Sequence, residues 1–181
     1  MTASPDPRLE VRRIRSDEWG AVRALRLEST SDPDAGIAFL ETPAQVAARP
    51  DQFWRDRAEL AAHSETAAQF VAVVGDSWVG SLSVLIRATG QTDHLGRFVD
   101  DRRADVVGVY VSPAHRGSGA VDLLLAAAGE WAAGLGLTRL SLDVHRDNPR
   151  AQAAYRRAGF APTGETFTSA IGPELVMSRP L

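Results

Sequence analysis

Apolar residues near the N-terminus repeat at helical spacing. Trp19, Val22 and Leu25 lie three positions apart, so they share one face of a helix. Ser16 precedes them as an expected N-cap, and the helix is predicted to extend to about Glu28.

A capping box predicts where the next helix begins. Thr42 and Gln45 have the required spacing, and Pro43 occupies the first helical position between them. Pro50 should break this helix, which residues 53–62 then continue.

The middle of the chain changes to a strand pattern. Residues 69–74 and 77–86 are rich in β-branched and aromatic residues and flank a Gly-Asp pair, which predicts a β-hairpin. Residues 9–14 read as a short first strand. A long polar loop is predicted from Arg87 to Arg103, and loops of this length often have functions.

The second half of the chain alternates between strand and helix. This βαβαβ order predicts an α/β fold. The predicted strands are residues 105–111, 139–144, a strand from Phe160 and 174–177, and the predicted helices run to about residue 133 and over 149–158.

Composition and charge limit the chemistry. The 181 residues fit one domain, residues 9–181, after a frayed tail of residues 1–8. With no cysteine, any sulfur chemistry must use a cofactor's thiol, and the histidines lack metal-ligand spacing.

A net charge of −3 gives no field that favours nucleic acid or an anionic membrane. No stretch approaches the ~18 apolar residues of a membrane span, so a cytoplasmic location is the simplest expectation.

A glycine-rich turn follows the strand that ends at Val111. Gly117 and Gly119 let the backbone approach a ligand closely, and the following helix begins with unpaired N–H groups that favour an anion. The turn also fits a plain connection, and it matches neither the Walker nor the dinucleotide fingerprint. As a phosphate or pyrophosphate cradle it would use the backbone amides of Arg116, Gly117, Ser118, Gly119, Ala120 and Val121.

Two motifs resemble those of the GCN5-related N-acetyltransferase family. Val111 to Gly119 fits Val-x-Pro-x-x-Arg-Gly-x-Gly, although Ala114 stands where the shorter form of the motif has Gln or Arg. Asn148 to Phe160 fits Asn-x-x-Ala-x-x-x-Tyr-x-x-x-Gly-Phe. The resemblance is close over residues 105–160 and elsewhere extends only to the order of elements.

The resemblance implies an acetyl-CoA-dependent N-acetyltransferase with a twisted mixed sheet of about six to seven strands and helices on both faces. Two central parallel strands would splay apart, and the pantetheine arm would pair with the backbone of Val109, Tyr110 and Val111. The Val109 amide would polarise the thioester carbonyl. Because the chain has no cysteine, the amine should attack the thioester directly in a ternary complex.

The same resemblance assigns roles to individual side chains. Tyr155 would protonate the departing thiolate, and Asn148 would contact the coenzyme, although it also fits an N-cap before a proline. Asp105 is the first candidate for the base that takes the amine proton, and Glu28 is the second.

The acceptor is expected to be an amine of a small molecule, and the near-neutral charge mildly disfavours very basic targets. Its specificity should come from the first two helices, the loop of residues 87–103 and residues 167–172. A protein lysine or N-terminal acetyltransferase and a non-catalytic acyl-CoA-binding domain remain alternatives. A homodimer is also left open.

Overall fold

A computed structural model describes residues 8–181 of the protein. The expected N-terminal tail, apart from Arg8, lies outside the described residues. The elements in chain order are β1 (Leu9–Arg13), α1 (Trp19–Thr30), α2 (Pro43–Ala48), α3 (Asp51–His63), β2 (Ala67–Val74), β3 (Ser77–Arg87), β4 (Arg103–Val111), α4 (Ala120–Gly134), β5 (Arg139–His145), α5 (Pro149–Arg157), β6 (Ala161–Ser169) and β7 (Gly172–Pro180).

The seven strands form one mixed sheet in the order β1-β2-β3-β4-β5-β7-β6. Only β4 and β5 pair in parallel, and every other neighbouring pair is antiparallel. The parallel pair is connected through α4, as a βαβ crossover requires. The predicted α/β class and the six to seven strands are confirmed.

Helices pack on both faces of this sheet because successive strand residues point to opposite sides. On β2, Phe70 and Ala72 belong to the large core that includes Leu124 and Leu125 of α4. Val71, between them, belongs to a second core with residues of α1, α2 and α3. The sheet therefore separates the α4 side from the α1–α3 side.

The parallel pair β4–β5 is short. Its register covers only three residue pairs, from Ala104–Leu140 to Val106–Leu142. Beyond Val106, β4 pairs only with β3, through an irregular register in which Gly108 has φ of 63°. That left-handed conformation favours glycine. The edge of β4 that faces β5 is consequently without a strand partner from Val107 onward.

Most predicted boundaries hold, with two corrections. The capping box is confirmed, since the Gln45 N–H donates to Thr42 Oγ1 at 3.3 Å and the Thr42 N–H donates to Gln45 Oε1 at 2.8 Å. The predicted N-cap at Ser16 is wrong, because a 3₁₀ turn already begins there and the Glu18 carboxylate accepts from the Arg15 N–H. The predicted loop of residues 167–172 is shorter, since β6 continues to Ser169 through its pairing with β7.

The helices among residues 8–181 include none with the length and apolar character needed to cross a membrane.

A buried aspartate organises the long loop between β3 and β4. The Asp93 side chain has no exposed surface and accepts hydrogen bonds from the backbone N–H groups of Leu95 and Arg97, each at 2.9 Å. It also pairs with the guanidinium groups of Arg97 at 2.8 Å and Arg103 at 3.4 Å. Arg97 in turn binds Asp143 of β5, so the loop is attached to both central strands.

Replacing Asp93 with Ala should lower the free energy of unfolding by about 3 kcal/mol, because two partly buried guanidinium groups would lose a carboxylate. Urea denaturation measures the change. Asp101→Ala, at an exposed position of the same loop, is the control and should shift stability by less than about 0.5 kcal/mol. Equal losses in the two variants would contradict this role for Asp93.

The loss of unfolding free energy in Asp93→Ala should also depend on pH. Burial tends to raise the pKa of Asp93, but the hydrogen bonds from Arg97 and Leu95 outweigh it and hold that pKa below its ordinary value. The carboxylate therefore stabilises the fold above its unfolded pKa of about 4, and this contribution disappears as pH falls through the lowered folded pKa. The difference between the wild-type protein and Asp93→Ala should shrink at acidic pH.

Candidate active site

A cleft of about 970 Å³ opens where β4 and β5 separate. It runs from the glycine-rich turn before α4, past the free edge of β4, to the side of the sheet that carries α1–α3. Its walls include residues 105–111 of β4, 116–122 of the turn and α4, 142–145 of β5, several residues of α5, residues 34–40 and the turn between β6 and β7.

The glycine-rich turn forms one end of the cleft. Gly117 and Gly119 have φ of 80° and 86°, and a Cβ built on either residue would meet no atom within 4 Å. The space beside both glycines is therefore open to a ligand. These conformations explain why the motif uses glycine at both positions.

The structure narrows the set of predicted backbone donors. The amides of Arg116 and Ser118 already donate to carbonyl groups inside the turn, both at 3.3 Å. The amides of Gly117, Gly119, Ala120 and Val121 have no hydrogen-bond partner among residues 8–181. Four such N–H groups within residues 117–121, at the start of α4, are a suitable site for an anion such as a pyrophosphate.

The Arg116 side chain links the glycine-rich turn to the end of β4 and to the segment after α1. Its Nε donates to the Val111 carbonyl at 3.2 Å, and its Nη2 forms an ion pair with the buried carboxylate of Asp32. A second ion pair, between Arg150 and Asp34 at 2.8 Å, joins α5 to the same segment. The segment after α1 is thus attached to the cradle.

The free edge of β4 presents the predicted backbone groups of Val109 and Val111 to the cleft. The side chain of Tyr110 is buried against the ring of Phe39. Its hydroxyl donates to Glu28 Oε1 at 2.9 Å. Burial and this hydrogen bond raise the pKa of Tyr110, which keeps the phenol protonated.

Tyr155 and Asn148 line the cleft from α5. Tyr155 is buried, its ring lies 6.1 Å from that of Phe160, and its hydroxyl has no hydrogen-bond partner in the described part of the chain. Burial raises the pKa of Tyr155, so the hydroxyl is a neutral donor. Asn148 Oδ1 accepts from the Ala151 N–H at 3.1 Å, which confirms the predicted N-cap.

The two predicted bases occupy different places. Asp105 lines the cleft, where its carboxylate accepts from Arg103 Nε at 2.8 Å and Arg87 Nε at 3.3 Å. Glu28 is exposed at the end of α1, is bound to Tyr110, and is absent from the residues that line the cleft. The fold brings Asp105 to the cleft but leaves Glu28 beside it.

Among the other carboxylates that line the cleft, sequence reasoning missed Asp143 on β5 and Glu174 on β7. On β5, Asp143 alternates with Leu142 and Val144, which lie in the core, and this alternation was a usable signal. Glu174 gave no such signal because only the pairing of β7 with β5 brings it to the cleft. Burial raises the pKa of both carboxylates.

The chain matches known acetyltransferases in sequence and fold. The model of the acetyltransferase (GNAT) family matches residues 21–160. An aminoglycoside N(6')-acetyltransferase type 1 of Acinetobacter haemolyticus is 39% identical over 56 residues, which is 31% of this chain and 39% of that relative. The alignment thus spans less than half of the relative's length.

Solved structures share the architecture. A PaiA N-acetyltransferase from Thermoplasma acidophilum, in complex with coenzyme A, has a TM-score of 0.74 at 16% identity and covers 96% of this chain and 99% of its own. A nourseothricin acetyltransferase is 30% identical, with a TM-score of 0.53 over 64% of this chain and 65% of its own.

Gly119→Glu should weaken acetyl-CoA binding about tenfold or more, because the variant places a negative charge at a helix N-terminus that is predicted to hold phosphate. Isothermal titration calorimetry measures the affinity. Gly119→Gln imposes the same backbone strain without charge, and its loss should be smaller. Gly134→Glu adds the charge at an exposed position near the other end of α4 and should leave affinity unchanged. Equal affinity in all three folded variants would place the anion elsewhere.

Proposed function

The chain belongs to the acetyltransferase (GNAT) family, and from this premise we propose that it is an acetyl-CoA-dependent N-acetyltransferase that modifies an amine of a small molecule. One observation carries the proposal. A single cleft joins the four unpartnered amides, the free edge of β4 and the hydroxyl of Tyr155. These are the parts that an acyl transfer from a long phosphate-bearing thioester needs.

The residues of the cleft fit the coenzyme. The open cradle at Gly117 and Gly119 would take the pyrophosphate, and the free edge of β4 would pair with the two amides of the pantetheine arm as an added strand does. Asn148 would contribute a side-chain contact. When bound, acetyl-CoA supplies an activated acetyl group as a thioester.

The chain's own groups account for the remaining chemistry. The Val109 N–H would donate to the carbonyl oxygen on which negative charge develops during attack by the amine. The Tyr155 hydroxyl would donate its proton to the sulfur as the C–S bond breaks. Its buried position supports this role, and so does the absence of a competing hydrogen-bond partner among residues 8–181, since the proton is free to be given to a ligand.

The lining of the cleft supports a small acceptor. Besides β4 and the glycine-rich turn, it includes residues 37–40, the loop residues His94 and Leu95, and Ser169 and Ile171 of the β6–β7 hairpin. Such a pocket suits a compact molecule more than a folded protein surface. Relatives named for aminoglycoside and nourseothricin acetylation agree with this class.

The identity of the base stays a prediction. Asp105 lies in the cleft, but its two arginine partners stabilise the carboxylate and occupy both oxygens. Glu28 would need to move from Tyr110 to reach the acceptor.

The proposal is tested by measuring thiol release from acetyl-CoA with a panel of polyamines, aminoglycosides and amino acids, and with lysine peptides. Small amines should accelerate release and gain an acetyl group detectable by mass spectrometry. Acceleration only by peptides would favour the protein-modifying alternative. Tight coenzyme binding without release by any acceptor would contradict catalysis.

Tyr155→Phe should lower single-turnover acetyl transfer by roughly 10²-fold to 10⁴-fold where proton transfer limits the rate, because only the donor hydroxyl is removed. Coenzyme affinity and melting temperature should stay near those of the wild-type protein. Rapid-quench kinetics measures the step. A wild-type single-turnover rate in the variant would remove Tyr155 from the mechanism.

A further inference from the structure

Three carboxylates lie at the acceptor end of the cleft, on the side of the sheet opposite α4. They are Asp105 on β4, Asp143 on β5 and Glu174 on β7. Glu174 lies directly across from His145 in the β5–β7 register, and His145 is two residues from Asp143. Residues paired in this way share one face, so β5 and β7 present these side chains to the same space.

Two of the three carboxylates are neutralised by arginine. Asp105 is held by Arg87 and Arg103, whose contacts occupy one oxygen each. Asp143 accepts from Arg97 through both oxygens, at 3.2 and 2.7 Å. All four oxygens of these two carboxylates therefore already accept from arginine, and none is left for an incoming ammonium group.

Glu174 differs from both. The residue is 6% exposed, and its Oε1 accepts from the Ser169 hydroxyl at 2.8 Å. Among residues 8–181, no cation forms a salt bridge with Glu174, and its Oε2 has no hydrogen-bond partner. The cleft therefore contains one buried carboxylate with an oxygen available to a ligand.

The neighbouring histidine does not compete for this role. His145 Nδ1 accepts from the Asp147 N–H at 3.0 Å, and the ring therefore donates through Nε2 to the Ile171 carbonyl at 3.1 Å. Both ring nitrogens are occupied by backbone groups. A Cβ on Gly172 would lie 2.6 Å from Nε2, so the hairpin turn also packs tightly against the ring.

We infer that Glu174 is the catalytic base, whose free carboxylate oxygen binds the acceptor ammonium group and takes its proton; this inference rests on the proposed function. Glu174 accepts one proton as the ammonium becomes a neutral amine. The nitrogen then forms the N–C bond to the acetyl carbon, and the C–S bond breaks. The nitrogen's second proton replaces the one that Tyr155 gives to sulfur, and Glu174 returns its proton to water.

The surroundings of Glu174 make its carboxylate a better proton acceptor than an ordinary glutamate, because they raise its pKa. Burial raises the pKa of Glu174, the Ser169 hydroxyl lowers it, the charge of Asp143 raises it, and His145 and Arg97 lower it. A base with a pKa moved towards the working pH combines ionisation with proton affinity.

The test compares the pH dependence of kcat/KM in matched variants, with an amine that the thiol-release panel identifies. In Glu174→Gln, the acidic limb of the pH profile should be lost and kcat/KM should fall by roughly 10²-fold to 10⁴-fold. The affinity for acetyl-CoA should be unchanged. Glu174→Asp keeps a carboxylate and should keep the limb. Glu165→Gln, exposed on β6 of the same hairpin, should match the wild-type profile.

A further variant, Ser169→Ala, distinguishes a Glu174 that takes up a proton from one that has only a structural role. Ser169→Ala removes a hydrogen bond that stabilises the ionised Glu174, so the acidic limb should move to higher pH. A purely structural role for Glu174 would leave the limb in place in this variant.

The inference would be overturned if Glu174→Gln kept the limb and a rate within a few-fold of wild type, or if the limb did not move in Ser169→Ala. It would also be overturned if Asp105→Asn alone lost the limb. Failure of the proposed function is seen separately, because the wild-type protein would then release no thiol with any amine.

Discussion

The separation of β4 from β5 is the constraint on which the rest of the molecule depends. Three residue pairs join these strands, and past Val106 the backbone groups of β4 on that side have no strand to bind. Such groups need partners when they are covered, and a ligand with its own amides can supply them. The irregular register between β3 and β4, with Gly108 in a left-handed conformation, lies in this same stretch of β4.

Charged side chains hold the segments around this gap. Asp93 gathers the loop before β4, and Arg97 extends that loop to Asp143 on β5. On the other side, Arg116 and Asp32 join the cradle to the segment after α1. Arginine pairs with both Asp105 and Asp143, whereas the carboxylate of Glu174, in the same cleft, has no cationic partner among residues 8–181.

Local patterns predicted the elements and the glycine-rich turn with few errors, since the signals involved are short in range. The capping box at Thr42 and the N-cap at Asn148 depend on residues three apart, and both form as expected. The predictions were less accurate where pairing or hydrogen bonding in the folded chain overrides the local pattern. The β6–β7 pairing extends β6 to Ser169, and the amides of Arg116 and Ser118 are used inside the turn.

The sequence by itself determined the α/β class, the glycine-rich turn and the family motifs, because helix starts, hairpins and turns are specified by neighbouring residues. Tertiary structure alone decided which carboxylates line the cleft and which of them pair with arginine. Asp105, Asp143 and Glu174 come from three strands, and the arginine partners of the first two come from β3, β4 and the loop between them. Electrostatic environment depends on distance in space, and the linear chain does not contain those distances until the sheet has formed.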